Sequence, residues 1–210
     1  MEKEESRQID RGKVRLRSAD FLVGPSYDAS IEDDGTFAIN SASAGRYILE
    51  IDPPSGTYVK AVRYSGKEIE GRVVDFANSV HDLDIVLRRG AARLRGAAAQ
   101  EEPAGNTNTI PVSLGAYFAV VPRGEMALWS DIRSGYCDSQ GGFSIDGLAP
   151  GHYRVFTWTA ADPRVFWDPN SLRELDRVGL EVKLNEGDAS VVRAPLLRRD
   201  EVDRLIGALR

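Results

Sequence analysis

A short pattern occurs twice in the chain and limits the folds open to it more than any other feature. It reads Asp34-Gly35-Thr36-Phe37-Ala38-Ile39, then Gly45-Arg46-Tyr47. It returns as Gln140-Gly141-Gly142-Phe143-Ser144-Ile145, then Gly151-His152-Tyr153. The Gly, Phe, Ile, Gly and Tyr all recur at one offset of 106 residues, with no gap. Self-similarity at a fixed spacing sets the architecture before local propensities do. In 210 residues it implies two related β domains in tandem, each near the common domain size of about 100 residues.

The surrounding residues read as short strands with frequent turn signals, the mark of Greek-key sandwiches. Lys13 to Arg17 alternates and is the first strand. Gly35 can take φ > 0, as a two-residue hairpin turn requires. Phe37 and Ile39 would then share the inward face of the returning strand. Tyr47, Leu49 and Ile51 would alternate inward against Arg46, Ile48 and Glu50. Tyr58 to Tyr64 and the run at Leu83, Ile85 and Leu87 complete the first copy. In the second, strands are expected at Ala91 to Ala99, Val112 to Val121, Trp129 to Cys137 and Tyr153 to Thr159. The last of these is apolar on both faces, so both must be covered or one must be a contact surface. Asp168-Pro169-Asn170-Ser171 offers helix-start chemistry for a short helix ended by Gly179. Leu180 to Leu184 and Ala189 to Leu197 read as a closing pair across the Glu186-Gly187 turn. Val202, Leu205, Ile206 and Leu209 have helical spacing.

These signals divide the chain into a flexible lead, 1–12, a first sandwich, 13–89, a second, 90–198, and a helical tail, 199–210. The lead is polar and without apolar periodicity. The first sandwich lacks an evident opening strand of the kind Ala91 to Ala99 supplies to the second. The chain therefore begins inside a domain, or residues 1–12 supply that strand.

The net charge of −5 argues against nucleic acid, because a binder needs excess base to neutralise phosphates. No run approaches the ~18 apolar residues of a membrane span. Residues 1–11 lack the apolar core of a secretion signal, so the chain is expected to be cytoplasmic or a segment of a longer exported protein. The single cysteine, Cys137, excludes an intrachain disulfide.

D-G-x-F-x-I, a short loop and P-x-G-x-Y together resemble the signature of the carboxypeptidase regulatory-like domain. The second copy matches the loop best, at Leu148-Ala149-Pro150-Gly151-His152-Tyr153. The stretch from Trp158 to Gly179, with Trp167-Asp168-Pro169, resembles the long insertion of bacterial tandem members. The first copy departs from the pattern, with Ser43-Ala44 where the family has Pro before the glycine. The resemblance spans residues 13–198. It implies an all-β chain of two tandem transthyretin-like Greek-key β-sandwiches, related to Cna B-type modules and carbohydrate-binding-like folds. A short helix falls in the second-domain insertion and another at the C-terminus. It also implies an exported, envelope-associated setting in bacteria.

The chemistry of the residues points away from catalysis. A zinc hydrolase needs two His and a Glu with an open position; only His81 and His152 exist, and neither begins His-x-x-Glu. No nucleophile elbow or phosphate-cradling loop is present. Asp33-Asp34 and Asp82/Asp84 are too few to supply the six or more oxygens of calcium. Lys13 and Asn78 leave a Cna B-type isopeptide bond open in the first domain. No cofactor or metal is called for. The candidate contact surface is aromatic: Trp158, Phe166 and Trp167, whose flat faces could stack on a sugar ring or simply cover the sheet. The expected role is a non-catalytic structural or interaction module, a spacer or adhesive part. The alternative is a carbohydrate-binding module using the second-domain insertion. A protein or a glycan remains open as partner.

Overall fold

The computed structural model describes residues 11–19, 24–69, 72–76, 82–99, 116–123, 131–159 and 175–207. Among the described residues fourteen strands and one helix make the architecture all-β. The chain divides into two compact units, Met1–Gly90 and Ala91–Arg210.

In the first unit β1 (Lys13–Ser18), β2 (Ser26–Ser30), β3 (Gly45–Asp52) and β6 (Val73–Phe76) form an antiparallel sheet in the order β2-β1-β3-β6. A second sheet contains β4 (Thr57–Tyr64), β5 (Lys67–Glu68) and β7 (Leu83–Arg89), ordered β5-β4-β7. Ser65 and Gly66 both have positive φ, 49° and 77°, which matches the twist of the two-residue β4–β5 hairpin. The alternation of β1 buries Val14 and Leu16 and leaves Lys13, Arg15 and Arg17 outside. With Tyr47, Leu49, Ile51 and Val62 they make the core. Ile48 departs from the expected alternation and is buried. It lies on the outer face, cross-strand from Arg17 and Val73, where long arginine stems can cover an apolar side chain.

In the second unit β8 (Ala92–Ala99), β9 (Ala116–Pro122), β10 (Arg133–Tyr136), β11 (Gly142–Leu148), β12 (Gly151–Thr159) and β14 (Ala189–Leu197) follow the path β10-β9-β12-β14-β8-β11, with β13 (Leu180–Leu184) on β12. The β12–β14 pairing is parallel and confined to Thr157 and Trp158. Thr157 is fully buried there, and its hydroxyl donates to Pro195 O at 3.0 Å. Phe118, Val120, Tyr153, Val155, Val182 and Leu184 meet Leu94, Phe143, Ile145 and Ala194 in the core.

The expected β13–β14 hairpin is corrected. The turn exists, with Gly187 at φ 73°, but β13 pairs with β12 while β14 runs parallel to β8. The opening strand competes for β14 and wins seven residues of register.

The repeated turn is the same object in both units. Glu32 N–H donates to Thr36 O at 2.8 Å and Gly35 N–H to Glu32 O at 2.9 Å. Asp138 N–H donates to Gly142 O at 2.8 Å and Gly141 N–H to Asp138 O at 3.0 Å. The loop is therefore three residues long, not two, with Gly35 and Gly141 at φ 84° and 78° in its left-handed position. The repeated tyrosines also agree. Tyr47 Oη donates to Ser43 O at 2.9 Å, and Tyr153 Oη to Ala149 O at 2.6 Å. Each ties down the loop that enters its strand. A second correction concerns Phe37 and Ile39: they pack against the core half-buried but belong to no strand.

Candidate functional site

β12 presents aromatic residues on both faces, and both are covered. Tyr153 and Val155 face the inter-sheet core, while Phe156 and Trp158 join Tyr117, Leu175 and Val202 in a second apolar layer. Val202 belongs to α1 (Arg199–Gly207). Its first turn carries Asp200 and Glu201, as the helix dipole favours, and Glu201 accepts the Arg198 N–H at 2.7 Å. Trp158 is 4% exposed, its ring 5.0 Å from Tyr117. Of the expected aromatic contact residues, Trp158 is thus placed inside the protein, and Phe166 and Trp167 lie outside the described residues. The short helix expected before Gly179 is described only from Leu175, whose carbonyl accepts the Val178 and Gly179 amides. A Cβ on Gly179 would stand 2.4 Å from Phe156 Cε1, so the chain crosses β12 there only because glycine has no side chain.

An ionic cluster staples the same turn to β12. Arg154 Nε lies 3.0 Å from Asp176, Arg154 Nη2 3.4 Å from Glu181, and Arg123 3.2 Å from Asp176. Arg154 also donates to Gly179 O at 3.0 Å. His152 is half-exposed, with Nδ1 3.9 Å from Glu181. The carboxylates are matched by guanidinium groups, an arrangement that holds a loop. In the first unit, Arg15 and Arg17 likewise bridge to Glu50 on the outer sheet face. Lys13 is exposed, whereas Asn78 and His81 lie outside the described residues.

Among the described residues, the second unit has an open cleft of about 620 Å³ along the β10–β11 hairpin. Its floor is the stacked pair Phe118 and Phe143, 4.7 Å apart and 15° from parallel. Gly135 and Gly96 border the floor where side chains would fill it: a Cβ on Gly135 would stand 3.3 Å from Phe118, and one on Gly96 2.1 Å from Phe143. Arg95 and Tyr136 stand at the rim. Tyr136 is 73% exposed, yet its ring is set at 84° to Tyr117 at 5.2 Å. The cleft thus has an apolar floor and is bordered by an exposed arginine and by a tyrosine held against Tyr117. Cys137 lines the cleft, but burial pushes its thiol up to about 11, so at neutral pH it is protonated and a poor nucleophile. Asp138 accepts the amides of Gln140 and Gly142 and is committed to the turn. Sequence reading missed this cleft. The one local signal was Gly96, a glycine inside a strand, which marks a close approach.

No family model and no curated protein matches the chain. It is similar to the Bacillus anthracis TIE protein at 12% identity and TM-score 0.31, covering 93% of this chain and 32% of that one. The minor pilin GBS52 of Streptococcus agalactiae aligns at 11% identity and TM-score 0.30, over 89% of this chain and 81% of that one. A streptococcal ancillary pilin aligns at 16% identity and TM-score 0.26, over 93% and 60%. The chain thus spans less than two thirds of two of these three proteins, and likenesses this distant carry no argument about its role.

Proposed function

We propose that this chain is a non-catalytic structural and interaction module, built from two copies of a carboxypeptidase regulatory-like sandwich. Its role is that of a spacer or adhesive segment of an envelope-associated bacterial protein. One observation carries the reading. Within the repeated pattern the glycines Gly35 and Gly141 make a turn, the tyrosines tie a loop, and the phenylalanines and isoleucines pack on a core. What repeats is thus mechanical, and the cleft bordered by Tyr136 and Arg95 is formed by residues of the second unit. Tyrosine and arginine, both at this cleft, are the residues favoured at interface anchors. The cleft is the place where a partner's side chain or ring would seat.

Two measurements test this. A panel of peptidase, esterase and glycosidase substrates is expected to show no turnover; any turnover that tracks the folded protein overturns the non-catalytic reading. Binding to purified cell-wall polysaccharide and surface-protein fractions is expected to be saturable. It should fall about tenfold or more in Tyr136→Ala, the size expected of one anchor residue, with the unfolding midpoint unchanged. Undiminished binding in that variant excludes the cleft.

A further inference from the structure

We infer that the outer face of the β14–β8–β11 sheet docks an acidic segment of a partner polypeptide, through Arg95, Arg193 and Val191. β14 runs parallel to β8, with Val191 beside Arg95 and Arg193 beside Ala97. β11 lies on the other side of β8, with Ser144 beside Arg95. Alternate residues of a strand share a face. Leu94, Val192 and Ala194 turn inward to the core. Arg95, Val191 and Arg193 therefore stand on the opposite face, and all three are exposed. With Ala97 they form a square. Two arginines occupy one diagonal, and Val191 and Ala97 the other. Diagonal neighbours of this kind are about 7–8 Å apart.

The charge on this face is not neutralised within the unit. Arg93 meets Asp146, Arg123 and Arg154 meet Asp176, and Arg198 and Arg204 meet Asp200. On the outer face of the first unit, Arg15 and Arg17 likewise meet Asp28 and Glu50. Arg95 and Arg193 have no ion pair among the described residues. The chain is acidic, with a net charge of −5, so the basic pair is a local feature. Val191 is 80% exposed, more than any other large hydrophobic residue among those described. A lone exposed valine is ordinary. Placed between two unneutralised guanidinium groups, it makes an apolar spot with a cationic border.

That pattern selects its partner. A guanidinium binds a carboxylate through two parallel hydrogen bonds. Carboxylates two residues apart on an extended segment are about 7 Å apart, which matches the arginine diagonal. An aliphatic side chain next to them would cover Val191. An anionic polysaccharide answers the charge but brings no aliphatic side chain. Arg95 and Ser144 also line the cleft, so this face continues that surface and rests on the chain being an interaction module. Arg193 and Val191 report on the face, and Tyr136 on the cleft.

The full chain is panned against displayed random dodecapeptides, and the affinity of the selected peptides is then measured. They are expected to carry Asp or Glu two positions apart with an aliphatic residue nearby, and to bind more weakly as salt rises. Arg193→Gln should raise Kd about tenfold, the scale of one lost charge pair, and Val191→Ser several-fold, for the apolar area lost. Tyr136→Ala should leave these peptides bound as before. Selection without acidic enrichment overturns the proposal, as do acidic peptides indifferent to the double variant Arg95→Gln/Arg193→Gln. Loss of binding in Tyr136→Ala but not in Arg193→Gln also overturns it, and leaves the cleft as the site. Polygalacturonate bound through the same arginines, with no peptide bound, would make the ligand an anionic polysaccharide instead. Peptide binding that appears only in Glu101→Gln/Glu102→Gln would make the chain's own acidic residues the occupant and overturn the partner.

Discussion

After the Glu32–Thr36 turn the chain runs on to Ile39 without strand bonds, whereas after the Asp138–Gly142 turn it enters β11 and pairs with β8 from Gly142 to Ile145. The turns have the same hydrogen bonds, the same left-handed glycine and the same apolar residues two and four positions beyond that glycine. The difference lies in what stands alongside. A strand is stabilised by cross-strand neighbours more than by intrinsic preference, so one sequence motif gives a strand where a partner is present and a half-buried irregular segment where none is found among the described residues.

The largest test of that comparison is deletion of the two phenylalanines. Phe143 is 8% exposed and stacked on Phe118, so Phe143→Ala should cost the second unit about 3–5 kcal/mol. Phe37 is only partly buried, and Phe37→Ala should cost about 1–2 kcal/mol, a partial share of the same transfer and cavity contributions. Urea unfolding read in each unit separately checks this; equal costs would break the contrast. Trp158→Ala should also cost about 3–5 kcal/mol, because the ring is packed. A variant that loses glycan binding at unchanged stability would instead restore the tryptophan as a contact residue.

The repeated tyrosines give the next effect. Burial raises the Tyr153 phenol from 10.0 to about 12, so the folded state keeps a proton that the unfolded state releases. The associated stability is complete below pH 10 and is lost as pH rises from 10 towards 12. The loss amounts to about 2–3 kcal/mol at 1.36 kcal/mol for each pKa step. Tyr153→Phe should remove this alkaline dependence and cost about 1 kcal/mol for the bond to Ala149 O. An unchanged alkaline profile in that variant would assign the effect elsewhere.

The smallest effects fall on the turn glycines. Gly35→Ala and Gly141→Ala force alanine into the left-handed region, at about 1–2 kcal/mol each. Near-equal costs, measured by thermal unfolding of each variant, would sharpen the comparison by showing that the turns are equivalent although their sequels differ.

Much of the fold was legible in the sequence because it is local. The alternation of Lys13 to Arg17 marked β1, the glycines marked the turns, and the two-faced apolarity of Tyr153 to Thr159 announced the covering layer that α1 and Leu175 supply. What escaped was non-local. Leu180 to Leu184 and Ala189 to Leu197 look like a hairpin, because nothing near them reveals that β8 competes for β14. The cleft draws on β8, β9, β10 and β11, which no window of sequence brings together. The turn carboxylate moved between copies, from Asp34 inside the loop to Asp138 at its start, so a position-by-position comparison of the repeats missed that both accept turn amides.

Native-state hydrogen exchange on the isolated chain tests the central claim most directly. Amides of Phe143 to Ile145 should exchange slowly, near the rate set by opening of the second core. Those of Phe37 to Ile39 should exchange faster by about a hundredfold or more, as expected of residues outside a bonded strand. Equal protection of the two segments would contradict the claim, because the first unit would then already hold a strand beside Phe37 to Ile39.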